Sequence, residues 1–372
     1  MQAADQLLLS DNKFCHRLRE CIRFPEDHAL TALVTQIQIL AVADSTLRSY
    51  MSVSQRFVVF CRGNHVDVPN LSCDDISLFL VDLARSQLKV STISTMYSNL
   101  RGFFKLVHAE FPTESKDIEL TLRGLGRVCD TSIKRAIPIL GGHLSRLEAV
   151  LSGVPHGSPL LSILRPLLSI NNLRLITMLT VAHDGLLRVS ELLSLRWCHV
   201  NKTVLGYVLT IVHSKANQIG PAEQVSIVHH TTEYTSAATW MDLFWLKSKQ
   251  SNLDFVFHNN NALKSPITAR EVNDWIKSNA NNLELNADSI SSHSLRAGGA
   301  TDMVLRGATP NDVMRQGRWK SASMVDIYFR PSLSTWQEHL QRQINTTGGI
   351  QGVPRLDKCA HSSIDVKRKR KR

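Results

Sequence analysis

A chain of 372 residues, 43% of them apolar and 20% charged, can bury two cores and is too apolar for wholesale disorder. The net charge is +11; six basic residues end the chain, and 37 basic against 32 acidic residues leave the remainder about +5. That balance favours a polyanion such as nucleic acid as partner. The seven cysteines are scattered and never spaced C-x-x-C, which argues against a disulfide framework or a zinc site and for a reducing compartment. No apolar run reaches the length of a membrane span, and the N-terminus lacks a basic start followed by an apolar core, so neither membrane nor secretion is expected.

Residues 1–30 show no sustained period and are expected to be loosely ordered. A helical domain over 31–128 follows. Leu47, Tyr50, Met51, Phe57, Val58 and Cys61 share one helical face, with a stop at Gly63-Asn64. "CDDISLFLVDLARS" reads as a second helix capped by an Asp. In "STISTMYSNLRGFFKLVHAEF" the residues Ile93, Met96, Tyr97, Leu100, Phe103, Phe104 and Val107 form a stripe. Arg48, Arg56, Arg62, Lys89, Arg101 and Lys105 are candidates for a DNA-facing surface on these helices.

The polar, basic stretch 129–140 reads as a linker closed by a proline. A second domain is expected over 141–345, and residues 346–372 form a basic tail. "HLSRLEAVL" and "NNLRLITMLTVAHDGLLRVSELLSLRW" read as helices. Val204 to Val212 and Gln224 to Val228 predict a small antiparallel sheet, with a turn near Ser214 to Ala222. "TAREVNDWIKSNANNL" resumes helix, Ser292 could cap the next one, and Gly307 and Gly317 sit where helices should stop. The fold class is therefore mainly α: an all-helical N-terminal domain, then a mostly helical one with a small sheet.

Single residues carry little. Arg188 and Glu191, three apart on a helix, would alone be an ordinary ion pair. Lys215 in a turn, the His293-x-x-Arg296 pair and Tyr328 in an apolar run are equally ordinary. His229-His230 has no carboxylate or cysteine at ligand spacing, so no metal and no cofactor are expected.

Order and spacing say more. Arg188, Lys215, His293, Arg296, Trp319 and Tyr328 follow one another, with intervals of 3, 23 and 9 residues from His293 onward. This series resembles the tyrosine recombinase (integrase) family, whose site runs Arg, Lys, His-x-x-Arg, His or Trp, Tyr. "HSLRAGGAT" and "GRWKS" are also similar to the recombinases of Crypton and DIRS mobile elements. The resemblance spans roughly residues 45–345 and implies a SAM-like core-binding domain followed by a catalytic domain. It implies that Tyr328 attacks a DNA phosphate and holds the DNA as a 3′-phosphotyrosine. Arg188 and Arg296 would clamp the non-bridging oxygens, and His293 would exchange protons. Lys215 would protonate the leaving 5′ oxygen, Trp319 would contact phosphate through its indole N–H, and Glu191 would support the site. Double-stranded DNA at specific sites, a homotetramer on paired sites and integration or excision of a mobile element are implied with it. A recombinase-derived regulator without catalysis and a type IB topoisomerase are the alternatives. The basic tail suggests the nucleus, or the cytoplasm for a prokaryotic or viral gene. Trp336, Leu340 and Ile344 form an apolar stripe beyond Tyr328 that could dock on its own domain or a neighbour's.

Overall fold

The computed structural model describes residues 42–107, 109–112, 116–131, 136–212, 220–230, 234–248, 251, 253–259, 264–321 and 323–328. Two compact units divide the chain between residues 133 and 134.

The first unit packs α1 (Asp44–Asn64), α2 (Cys73–Arg85), α3 (Val90–Leu106) and α4 (Lys116–Val128). Phe57, Phe60, Phe79 and Phe104 meet ring to ring at its centre, with Ile76, Leu80, Leu83, Ile93 and Leu100 around them. Four apolar residues run consecutively over 57–60, and steps of about 100° cannot put all of them on one face. Val53, Phe57 and Phe60 turn inward and Val58, expected on the stripe, is exposed. The stop of α1 lies at His65 (φ 53°) rather than at Gly63-Asn64, in a left-handed conformation that histidine tolerates better than most side chains. The cap of α2 is Ser72, not an aspartate. Its hydroxyl takes the Asp75 N–H while the Asp75 carboxylate takes the Ser72 N–H.

The second unit contains α5 (Gly141–Ser152), α6 (Leu161–Leu164), α7 (Ile170–Asp184), α8 (Val189–Ser194), β1 (Val200–Thr203), β2 (Gly206–Ile211) and β3 (Glu223–Val228). It continues through α9 (Ala237–Ser248), α10 (Ala269–Ser278), α11 (Ser292–Leu305), α12 (Pro310–Gly317) and α13 (Ser323–Tyr328). The sheet is antiparallel in the order β1-β2-β3, with Val200 opposite Leu209 and Tyr207 opposite Ile227. Strand β1 escapes sequence reading because only Val200 of its four residues is buried. Val204 and Leu205, expected to be strand, make the turn of the first hairpin.

Helix α7 is the hub, packed by α5, α9 and α11. It is apolar nearly all round, as a central helix must be, and its threonines return their hydroxyls to the backbone, Thr177 to the Leu173 carbonyl at 2.6 Å and Thr180 to Ile176 at 2.8 Å. Residues 136–140, read from sequence as the end of a linker, pack into this unit. Ile139 is buried in its core, and its N–H donates to the Ser294 carbonyl at 2.9 Å. No helix among the described residues is long and apolar enough to cross a membrane.

Candidate functional site

The site starts where α7 ends. Gly185 breaks the helix, and Leu186 adopts φ 45°, a left-handed conformation that costs a leucine on the order of 1 kcal/mol. The turn aims the Leu186 carbonyl across to α11 and leaves Arg188 just ahead of α8. Arg188 and Glu191 then close on each other. The Arg188 N–H reaches Glu191 Oε2 at 2.9 Å, and its Nη1 reaches Oε1 at 2.5 Å.

Helix α11 brings the second arginine. It sits close because Gly298 and Gly299 carry no Cβ: one on Gly298 would lie 1.8 Å from the Ile139 carbonyl oxygen, and one on Gly299 2.0 Å from that of His183. This gives the "AGG" of "HSLRAGGAT" a packing reason. Arg296 is fully buried, donates Nη1 to the Leu186 carbonyl and Nη2 to the Gly317 carbonyl, both at 2.5 Å, and lies 3.7 Å from Glu191 Oε2. Its guanidinium stacks 5.0 Å from the Trp319 ring centre. Trp319 in turn packs with Leu186, Ala300, Val313 and Val325, a small core joining α11, α12 and α13.

Four of the expected residues, Arg188, Glu191, Arg296 and Trp319, thus meet in one place. His293 is exposed on the first turn of α11, three residues before Arg296 and on the same face. Tyr328 closes α13, whose side chains beyond Val325 are not described, and Lys215 lies outside the described residues. The capping serine of α11 is Ser291 rather than Ser292.

One member of the cluster was missed by sequence. The left-handed residue ending α12 is not the expected Gly317 but Arg318 (φ 54°), with a side chain only 4% exposed. Its Nη2 donates to Glu191 Oε2 at 2.6 Å. Burial pushes the Glu191 carboxyl up, but the charge of Arg318, then the N–H and guanidinium of Arg188, hold it below the usual carboxylate range. Three guanidiniums against Glu191 and, 3.7 Å from Arg318, Glu223 leave one positive charge in excess in a largely dry setting. Such a site attracts an anion with an oxygen-rich face. Of the two arginines expected to hold phosphate, Arg188 has the more open side chain, 20% exposed.

The six candidate DNA contacts of the first unit divide. Arg101 and Lys105, one turn apart on α3, are exposed on a face that also carries Ser91, Thr95 and Ser98. Arg48 and Arg62 are exposed on α1, 14 residues apart and hence nearly in line. Arg56 is half-buried with Nη2 on Ser86 Oγ at 2.7 Å, and Lys89 pairs with Asp130 at 3.3 Å. His229 and His230 each face one carboxylate, Asp242 at 3.3 Å and Asp184 at 3.4 Å, and among the described residues no three His, Cys, Asp or Glu side chains are placed to hold a metal ion.

The chain is similar to known proteins along most of its length. Residues 160–334 match the phage integrase family, and residues 30–110 match the phage integrase N-terminal SAM-like domain. The chain belongs to the phage integrase family, the tyrosine recombinases. An integrase/recombinase xerD homolog of Selenomonas ruminantium is 23% identical over 312 residues, 82% of this chain and 86% of the relative. The recombinase cre of Escherichia phage P1 is 20% identical over 303 residues, 78% and 85% of the two chains. Among solved structures, XerH recombinase in a post-cleavage complex with a palindromic difH substrate has a TM-score of 0.57 at 14% identity, covering 92% of this chain and 91% of that one. A lambda integrase dimer bound to a COC' core site has a TM-score of 0.54 at 16% identity, covering 85% of each chain. These structures share the fold: a helical N-terminal unit and a mostly helical unit with a small sheet.

A second buried network lies at the end of α7. His183 Nδ1 is 2.9 Å from Asp184 Oδ1 and Nε2 is 3.1 Å from Asp302 Oδ2. Tyr234 donates its hydroxyl to Asp184 at 2.7 Å and is buried, with its pKa pushed well up by burial and by the Asp184 charge. That phenol is held inward by its bond to Asp184. Burial pushes the His183 imidazole down, but its hydrogen bonds to Asp184 and Asp302, and their charges, raise its pKa to about 9 from 6.5. The charged ring therefore stabilises the fold fully below pH 6.5, and the contribution is lost as pH rises through about 9. The loss is on the order of 3 kcal/mol. Between pH 6.5 and 9.5 the melting temperature should fall by roughly 5–10 °C. His183→Asn should melt lower at pH 6.5 and change little with pH. A wild-type midpoint that stays flat would remove the charged histidine from the core.

Proposed function

We propose that this recombinase cuts and rejoins double-stranded DNA at specific sites through a covalent 3′-phosphotyrosine on Tyr328. The observation that carries the reading is that Arg296, from a distant segment, meets the Arg188–Glu191 pair and is stacked on Trp319, in a chain of this family. The phenol oxygen of Tyr328 attacks phosphorus, the bond from phosphorus to the 5′ oxygen breaks, and that oxygen takes a proton from Lys215. His293 receives and returns the tyrosine's proton. The phosphotyrosine conserves the bond, so the freed 5′ hydroxyl can reverse the step without ATP.

Arg188 meets the phosphate first, being the more open guanidinium, and Arg296 supports it from beneath. The exposed faces of α1 and α3, with Arg48, Arg62, Arg101 and Lys105, suit the DNA backbone, and Arg56 and Lys89 would join by releasing Ser86 and Asp130. XerH, lambda integrase and the Tn1549 transposon integrase were solved with DNA, the last with transposon right end DNA, which supports a DNA partner and a role in moving a mobile element. Assembly as a homotetramer on paired sites, with the stripe Trp336, Leu340 and Ile344 docking on a neighbour, belongs to the same proposal. So does a nuclear address or added DNA affinity from the basic tail. Both segments lie outside the described residues.

Nicked duplexes tiled across the DNA flanking the gene should trap a denaturation-resistant protein–DNA adduct on at least one tile. Adducts on none would end the phosphotyrosine reading. The arginines supply the charge that Mg²⁺ supplies in metal-dependent phosphoryl transfer, so adduct yield should be the same within twofold in excess EDTA. Complete loss on chelation, restored by Mg²⁺, would contradict this chemistry.

A further inference from the structure

We infer that Arg318 is a positioning residue that shares with Arg188 the charge of Glu191 and so keeps Arg296 on the Leu186 and Gly317 carbonyls, the placement from which it supports the phosphate. The inference rests on the phosphotyrosine reading and adds a residue which that reading does not contain.

Arg318 is too deeply enclosed to be a DNA contact itself. Its guanidinium is spent on the frame: Nη2 on Glu191 at 2.6 Å and on the Leu186 carbonyl at 3.4 Å, Nη1 on the Gln316 carbonyl at 3.1 Å, and Nε 3.7 Å from Glu223 Oε2. A left-handed φ at a residue with a long side chain is tolerated only where surrounding contacts over-determine it, and here they do. The turn is sewn to its surroundings on both sides. Gln316 Nε2 donates to the Asp184 and Ser226 carbonyls, both at 2.8 Å, and the Gly317 carbonyl accepts from Arg296. Arg318 thus links α12, the turn after α7 and β3, the strand that follows the segment carrying Lys215.

Charge decides the role. Glu191 is buried and ionised, and Arg318 makes the shorter of the two side-chain contacts to Oε2, at 2.6 Å against 3.7 Å for Arg296. With Arg318 gone, Oε1 keeps the Arg188 guanidinium but Oε2 keeps only the Arg188 N–H, and Arg296, the next cation to that oxygen, would be drawn from the Leu186 and Gly317 carbonyls that hold it. A misplacement of about 1 Å at a reacting centre can cost ~100-fold in rate.

The test is a four-member cycle in the full chain: wild type, Arg318→Met, Glu191→Gln and the double variant. Each is assayed by single-turnover adduct formation on a saturating nicked duplex that the wild type cleaves. Arg318→Met should slow the step about 10- to 100-fold, with DNA affinity changed less than threefold. The double variant should be faster than Arg318→Met, because a neutral glutamine no longer pulls on Arg296. Arg318→Lys keeps a charge and should stand between wild type and Arg318→Met. A wild-type rate in Arg318→Met overturns the inference. So does a double variant as slow as Arg318→Met or slower, the behaviour of a residue that only braces the turn. If Arg318→Met melts below the assay temperature, melting points supply the cycle: Glu191→Gln should raise the midpoint of Arg318→Met, and a further drop overturns the inference. A wild type that forms no adduct on any duplex instead refutes the phosphotyrosine reading.

Discussion

Arg188→Ala should slow covalent cleavage by ~100- to 1,000-fold, the usual cost of losing a preorganised donor aimed at developing charge. The loss should be in the chemical step. Arg188 is one of 43 lysines and arginines in the chain, so duplex binding at moderate salt should weaken only a few-fold. It sits at the start of α8 with its N–H and Nη1 both on Glu191, so its position is set before DNA arrives. Arg188→Lys should recover part of the rate at most, since an ammonium offers a point charge where a planar fork spans two oxygens. Single-turnover adduct formation on saturating nicked DNA measures this directly. A loss below tenfold for Arg188→Ala would mean that the phosphate is held elsewhere.

The site was legible in part, for a physical reason. Arg188, Glu191, Arg296 and Trp319 could be found because their types, order and intervals resemble the tyrosine recombinase series, and the fold brings them together. Arg318 could not. An arginine beside a tryptophan after a helix reads as a solvated cap residue, and nothing local shows that a carboxylate 127 positions earlier waits for it. The left-handed Leu186 was equally hidden, because apolar periodicity runs through "AHDGLLRVSELL" while the backbone turns between α7 and α8. Long amphipathic helices such as α3 announced themselves. The short, mostly exposed β1 did not, and residues 136–140 looked like linker because their partners, Ser289 and Ser294, lie about 150 residues away.

The most direct measurement is Tyr328→Phe. The change removes one hydroxyl and keeps the ring, so folding and DNA affinity should match the wild type. On a nicked duplex that the wild type attacks, denaturing gels should show no covalent protein–DNA band for the Phe variant. Peptide mapping of the wild-type adduct should place the nucleotide on the tryptic peptide containing Tyr328. An adduct that persists in the Phe variant, or maps to another peptide, would contradict the assignment of Tyr328 as nucleophile and the site built around it.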